Sequence, residues 1–196
     1  MADNPITQTD QFVFFWRGWP SQWVPSPFTL DAVAYSCCEQ YMMAEKARVF
    51  GDDRTLCGIL AATSPRKQKD LGRQARGFDE ALWNSVCRGI VFTGNLAKFQ
   101  QNADLRAQLL DTGGRVIVEA SPVDCIWGIG LAADNPEAIL PDKWPGKNWL
   151  GIALMQVRDA LRFPSAQLAP ELLMQLENRK RLTAKPVAST IQGRQP

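Results

Sequence analysis

The stretch Glu119-Ala-Ser-Pro-Val-Asp124-Cys-Ile-Trp127-Gly-Ile-Gly130 sets two carboxylates, a thiol and an indole close together. Neighbouring acids push each other's pKa apart, so one can stay protonated as an acid while the other ionises as a base. The alternative is structural, with Asp124 satisfying loop amides and Glu119 capping a neighbouring element. Trp127, flanked by Gly128 and Gly130, offers a face for stacking a base, with backbone able to approach a ribose or phosphate. A Trp-Gly pair is equally a core residue beside a turn. Glu39 and Lys46 lie seven residues apart, on one face of a helix and about 10.5 Å apart along its axis. Long helical side chains lean towards the N-terminus, so Lys46 can reach back over Met43 towards Glu39 and enclose a small polar substrate. The plain reading is a capping glutamate and a solvated lysine. In the loop Trp16-Arg17-Gly18-Trp19-Pro20-Ser21-Gln22-Trp23, Arg17 can hold a phosphate, and Trp19 or Trp23 a base. A hydrophobic lid with no ligand fits the same residues.

None of the 196 residues is a histidine. Histidine-based triads and His-containing zinc sites are therefore excluded, and proton transfer falls to carboxylates, a lysine or a cysteine. Cys125 has no imidazole to activate it as a nucleophile. The remaining acids fall at helix-surface spacings, so no metal site is expected. The W-G-I-G-L run is not a G-x-G-x-x-G fingerprint and gives no Rossmann site. Glycosidic bond cleavage, which two carboxylates can manage, is the leading reaction.

The elements that must position these groups follow from pattern. Residues 1–11 read as a loose arm and Phe12–Trp16 as a strand. Phe28–Tyr35 reads as a hairpin turning near Asp31. Ser36 with Glu39 reads as a capping box opening a helix to about Phe50. Asp53 caps a short helix to Ala62, and Ser64-Pro65 starts another to about Arg76. Phe78–Asp111 is one long helix or two joined near Asn102, ended by Gly113 and Gly114. Arg115–Ala120 is a strand, and Ser121–Asn148 is mostly loop. A helix capped by Asn148 runs through Leu150, Leu154, Val157 and Leu161 and ends before Pro164. A last amphipathic helix spans about 170–182 with a solvated Arg179-Lys-Arg181 end, followed by a disordered tail. The sum is a predominantly helical single α+β domain, with one small sheet from residues 12–35 and 115–120.

Composition narrows the class. Hydrophobic residues make up 45% and charged residues 21%, as in ordinary globular proteins. A net charge of +2 argues against a broad nucleic-acid footprint. Five cysteines, odd in number and without C-x-x-C spacing, read as reduced thiols of a cytoplasmic protein. No apolar run approaches the length that spans a membrane.

Taken in order, several stretches resemble the NADAR (YbiA-like) family. They are P-S-P-F-T-L-D-A-V-A-Y-S-C-C-E-Q-Y-M-M-A-E-K, S-P-R-K-Q-K-D-L-G-R, W-N-S-V-C-R-G-I-V, K-F-Q-Q-N-A-D-L-R-A-Q-L-L-D-T-G, V-E-A-S-P-V-D-C-I-W-G-I-G-L and G-K-N-W-L-G-I-A-L-M-Q-V-R. The resemblance covers about residues 12–162. It implies a YbiA-like domain over 12–163, with 164–196 as an extension. It further implies an N-glycosidase that hydrolyses a ribosyl C1'–N bond without cofactor or metal. The leading substrate is ADP-ribose on guanine bases in nucleic acid. The alternatives are phosphorylated ribosylamino-pyrimidine intermediates of riboflavin synthesis, or a non-catalytic ADP-ribose reader. Partners are thus a substrate containing ADP-ribose or ribose phosphate and, as a candidate, single-stranded or modified nucleic acid. The family's acidic and lysine positions fall on Glu39, Lys46, Glu119 and Asp124, the catalytic candidates. Substrate-binding candidates are Arg17, Trp19, Trp23, Met43, Trp127, Gly128 and Asn148. Where the family often has Ser-Asn-Phe in the first loop, this chain has Ser21-Gln22-Trp23.

Overall fold

A computed structural model describes residues 6–164 and 168–183, so the tail read as disordered lies outside the described residues. The protein is a predominantly helical α+β domain, with eight α-helices and five short strands among those residues.

Strand β2 (Phe12–Phe15) is buried along its whole length. Its backbone groups must therefore be satisfied on both edges. One edge pairs in parallel with β5 (Val116–Glu119), Phe15 lying opposite Glu119. The other pairs antiparallel with β1 (Ile6–Gln8), which corrects the loose-arm expectation for those residues. Strands β3 (Phe28–Leu30) and β4 (Val33–Tyr35) form the hairpin, its turn at Asp31 and Ala32 having φ of 51° and 60°. Left-handed backbone at both central residues matches the twist of a tight hairpin. The single-sheet expectation is corrected, since the hairpin forms a sheet of its own. The reason is aromatic packing. Phe28 and Tyr35 sit 6.0 and 5.1 Å, centroid to centroid, from Tyr41 on the central helix.

That helix, α1 (Cys38–Val49), is buried at nine of its twelve positions. It begins after Cys37, which has no side-chain cap, so the capping box is corrected. Ser36 Oγ donates to Gln40 Oε1 at 3.0 Å instead, and Glu39 is left free of any capping duty. Helix α2 (Asp53–Ala61) starts one residue earlier than expected, because Asp52 accepts from the Thr55 amide. Helix α3 (Pro65–Arg73) has Ser64 as its cap. The stretch read as one or two helices is three: α4 (Glu80–Asn84), α5 (Cys87–Gln101) and α6 (Ala103–Asp111). The unforeseen break follows Ser85, whose hydroxyl donates to the Leu82 carbonyl at 2.7 Å and closes the α4 turn.

Helix α7 (Trp149–Arg162) packs on β5 and α5, and α8 (Pro170–Thr183) on α5 and α1. Gln175 on α8 accepts from the Arg88 and Gly89 amides, covering the start of α5 that Val86 leaves uncapped. Arg179 is not solvated as expected. Its side chain, 11% exposed, bonds Glu45 at 2.9 Å and Asp31 at 3.3 Å. The main core joins α1, α5 and α7 to Phe15, Ile117 and the hairpin aromatics.

Candidate active site

Three carboxylates from three different segments line one cavity of about 300 Å³. Glu39 comes from the first turn of α1, Glu119 from the end of β5, and Asp124 from the loop that follows. The loop folds back through the Ile129 amide on the Glu119 carbonyl and the Gly130 amide on the Asp124 carbonyl. Gly128 permits this close approach. A Cβ there would lie 2.8 Å from the Glu119 carbonyl oxygen and 2.9 Å from that of Asp124. Asp124 Oδ1 accepts from the Ile126 and Trp127 amides, each at 2.8 Å, which orients the carboxylate.

Asn148 sits behind the cavity rather than on its wall. Its Oδ1 accepts from the Glu119 amide at 3.0 Å and its Nδ2 donates to the Ile117 carbonyl at 2.9 Å. It stands at the start of α7 with φ 51° and caps nothing with its side chain, correcting that expectation. An asparagine tolerates this left-handed backbone better than most residues. It clamps the end of β5 and so fixes where Glu119 begins.

Burial dominates the electrostatics. Of the three acidic or amide side chains buried in α1, Gln40 and Glu45 are hydrogen-bonded, whereas Glu39 Oε1 has no partner among the described residues. Glu119 Oε2 is likewise unpartnered. Burial pushes Glu39 up to about 7, against Lys69, a Trp23 hydrogen bond and Arg73, which favour its charged form. Burial, then the Asp124 charge, pushes Glu119 up to about 8. Carboxylate oxygens buried without a partner cost stability, so their retention in a cavity is a mark of function.

Cations and aromatic rings complete the wall. Lys69 and Arg73, four residues apart, present one face of α3 to the cavity, and Lys69 Nζ lies 5.5 Å from the Trp23 ring centre. Neither forms an ion pair with a described residue. Both were overlooked in the sequence, although their spacing after the Ser64-Pro65 start already places them on one helical face. Lys46 lines the cavity but does not reach Glu39. Its Nζ lies 4.2 Å from the Phe78 ring centre and 5.6 Å from that of Trp83, and burial with the Arg73 charge lowers its pKa. Trp23, Met43 and Trp127 are also on the wall. Arg17, Trp19, Gly128 and Asn148 are not. Arg17 lies over Trp16, while Trp19 packs edge-on against Phe99 in the core.

Further residues escaped the sequence reading. Gln22 lines the cavity, is 6% exposed, and accepts from Asn95 Nδ2 at 3.2 Å. Its carbonyl takes the Glu39 amide at 3.0 Å, tying the first loop to α1. Fully buried Lys98 donates to the Trp19 and Ser21 carbonyls at 2.8 and 3.1 Å, holding that loop in place. No local signal marks a lysine in the last turn of α5 for this work. Among the described residues, no group of three His, Cys, Asp or Glu side chains is set to hold a metal ion. No described helix is long and apolar enough to cross a membrane.

A family model of the NADAR domain matches residues 14–162, which contain every residue of this cavity. The chain belongs to the NADAR family. It is 43% identical over 165 residues to "N-glycosidase R617" of Acanthamoeba polyphaga mimivirus, covering 78% of this chain and 97% of that protein. It is 31% identical over 135 residues to "N-glycosidase YbiA" of Escherichia coli K12, covering 69% and 76%. The NMR structure of E. coli YbiA superposes with a TM-score of 0.65 at 26% identity, over 86% of this chain and 96% of that one. This NADAR protein therefore shares the YbiA fold as well as sequence.

Proposed function

We propose that this NADAR N-glycosidase, a hydrolase of N-glycosyl bonds, removes ADP-ribose from ADP-ribosylated guanine bases in nucleic acid. The observation that carries the reading is the meeting of Glu39, Glu119 and Asp124 in one cavity, with Glu39 buried and Glu119 half-buried with one oxygen shut off from solvent, both holding protons near neutral pH. Breaking the ribosyl C1'–N bond sends its electron pair to the leaving nitrogen and leaves positive charge on the ribose. Glu119, with its pKa near 8, is the group to protonate that nitrogen. Asp124 has one oxygen fixed by two amides and the other to set against the developing cation. Glu39 positions the attacking water, and the proton that water loses on bonding to C1' passes to a carboxylate. Water is the only co-reactant.

Lys69 and Arg73 supply charge for the phosphates attached to the ribose, Arg73 with a planar fork that suits them. The rings of Trp23 and Trp127 supply flat surfaces for a base. A cavity of about 300 Å³ is small for a ligand site and holds the ribose at the scissile bond with its nearest phosphate. The same size favours the second reading, hydrolysis of a compact phosphorylated ribosylamino-pyrimidine. Incubation with an oligonucleotide ADP-ribosylated on guanine, beside a ribosylamino-pyrimidine phosphate, separates the two. Release of free ADP-ribose by the wild type, lost in Glu39→Gln and Asp124→Asn, supports the first. Turnover of the pyrimidine substrate alone supports the second, and tight ADP-ribose binding without any turnover points to a reader.

A further inference from the structure

Gln22 lines the cavity, has no part in the proposed reaction, and is held more firmly than a spectator needs. Its backbone carbonyl accepts from the Glu39 amide at 3.0 Å, which seats it against the first turn of α1. Lys98 grips the same loop through the Trp19 and Ser21 carbonyls on either side. The residue is 6% exposed, so its amide must find partners inside the protein or in a ligand.

That amide can lie only one way round. Asn95 Nδ2 donates to the Val91 carbonyl at 2.9 Å and to Gln22 Oε1 at 3.2 Å, while Asn95 Oδ1 accepts from the Cys38 thiol at 3.6 Å. Turning the Gln22 amide over would set its NH2 group against that of Asn95. Gln22 Nε2 therefore faces α1, where it meets a single acceptor among the described residues, the Met42 sulfur at 3.3 Å. A thioether is a weak acceptor, and an amide nitrogen has two hydrogens to place. Buried N–H groups without a good acceptor are rare in folded proteins, so this donor awaits an atom that the protein does not supply.

Its surroundings identify that atom. Glu39 and Met42 lie three apart on α1 and both line the cavity, so the spare N–H and the Glu39 carboxyl share one helical face. Glu39 Oε1 is itself without a partner. A donor and an acceptor side by side suit a hydroxyl, which takes one hydrogen bond and gives another. The base belongs with Glu119, which protonates the leaving nitrogen, whereas Glu39 and its water belong with the sugar. On a ribose, the hydroxyl adjoining C1' is the 2'-hydroxyl.

We infer that Gln22 donates to the 2'-hydroxyl of the ribose whose C1'–N bond is cut, and so selects the sugar. The inference rests on the ribosyl-cleavage reading of the same cavity and adds the group by which that ribose is recognised. Glu39 accepts the hydroxyl's own hydrogen bond, its oxygens having lone pairs for both this hydroxyl and the attacking water. In DNA, a guanine bearing ADP-ribose has a second N-glycosyl bond, to the deoxyribose of its own strand. That sugar has no 2'-hydroxyl, so the contact separates the bond to be cut from the bond to be spared.

The test pairs loss of the donor with loss of the hydroxyl. Full-length wild type and Gln22→Met, which keeps the side chain's length without its N–H groups, are given two oligonucleotides ADP-ribosylated on guanine. One carries ADP-ribose, the other an analogue without the 2'-hydroxyl of the ribose joined to the base. Gln22→Met should lower kcat/KM about 10- to 100-fold on the first and change it less than about threefold on the second. The differing intrinsic reactivity of the two sugars cancels, because both proteins meet both substrates. Gln22→Glu, which keeps an oxygen for Asn95, should show the same contrast where Gln22→Met fails to fold. Equal losses on both oligonucleotides overturn the inference, because they mark a residue that only holds the loop. Failure of the guanine reading looks different: the wild type hydrolyses neither oligonucleotide. The contrast is then read on the phosphorylated ribosylamino-pyrimidine and its 2'-deoxy form, where equal losses again overturn the role of Gln22.

Discussion

Replacing Glu39 with glutamine should stabilise the protein while removing its activity, and the gain should depend on pH. Glu39 has an ordinary value of 4.5 and is pushed up to about 7 by burial, with Asp124 adding to the rise. Lys69, Trp23 and Arg73 oppose the shift without cancelling it. Below pH 4.5 the side chain is protonated in folded and unfolded chains alike, and its favourable contribution is fully present. As pH rises towards 7 the unfolded chain releases the proton and the folded chain keeps it, so stability falls by up to about 1.4 kcal/mol per pH unit. The accumulated loss is about 3 kcal/mol by pH 8. Glutamine has the shape of the protonated acid and no charge to desolvate. Glu39→Gln should therefore match the wild type within about 1 kcal/mol at pH 4.5 and exceed it by about 3 kcal/mol at pH 8. Glu119 declines over an overlapping range, so the difference between the two proteins, not the wild-type curve, isolates Glu39. Urea unfolding at the two pH values, beside a glycosidase assay, measures both halves. An advantage of equal size at pH 4.5 and pH 8 would refute the idea that Glu39 is kept as a buried acid.

Asp124→Asn keeps an oxygen for the Ile126 and Trp127 amides, so its unfolding curve should match the wild type while kcat falls at least about 100-fold. Asn148→Ala loses both contacts to β5 and puts a Cβ-bearing residue without a polar side chain into left-handed backbone. About 3 kcal/mol of stability should go with it, read by urea denaturation, together with activity as Glu119 loses its anchor. Lys69→Ala and Arg73→Ala should each raise KM for a phosphorylated substrate about tenfold or more, with a smaller change in kcat, as steady-state kinetics will show. No step of the proposed reaction passes through a metal, so dialysis against EDTA should leave the turnover rate unchanged.

The sequence alone determined the class of chemistry and most of the helices. A chain without histidine leaves proton transfer mainly to its acids. Patterns that depend on neighbours along the chain were legible, including the Ser64-Pro65 start of α3, the β-branched run of β5 and the period of α7. The order of its motifs marked the NADAR family. What stayed hidden depends on contacts between distant residues. Glu39 looked like a helix cap and became a buried acid, because Ser36 bonds Gln40 and Gln68 instead of the helix amides. Asn148 looked like another cap and proved a clamp, since its side chain reaches β5 nearly thirty residues earlier. Ile6–Gln8 carries no strong strand signal and is recruited by the open edge of β2. Lys69 and Arg73 shared a face in the sequence, but only the packing of α3 on α1 turned it towards the acids. Gly72 makes that packing possible, because a Cβ there would lie 2.9 Å from that of Met43. Local pattern fixes where a helix runs; which side of it meets a substrate is set by the elements packed against it.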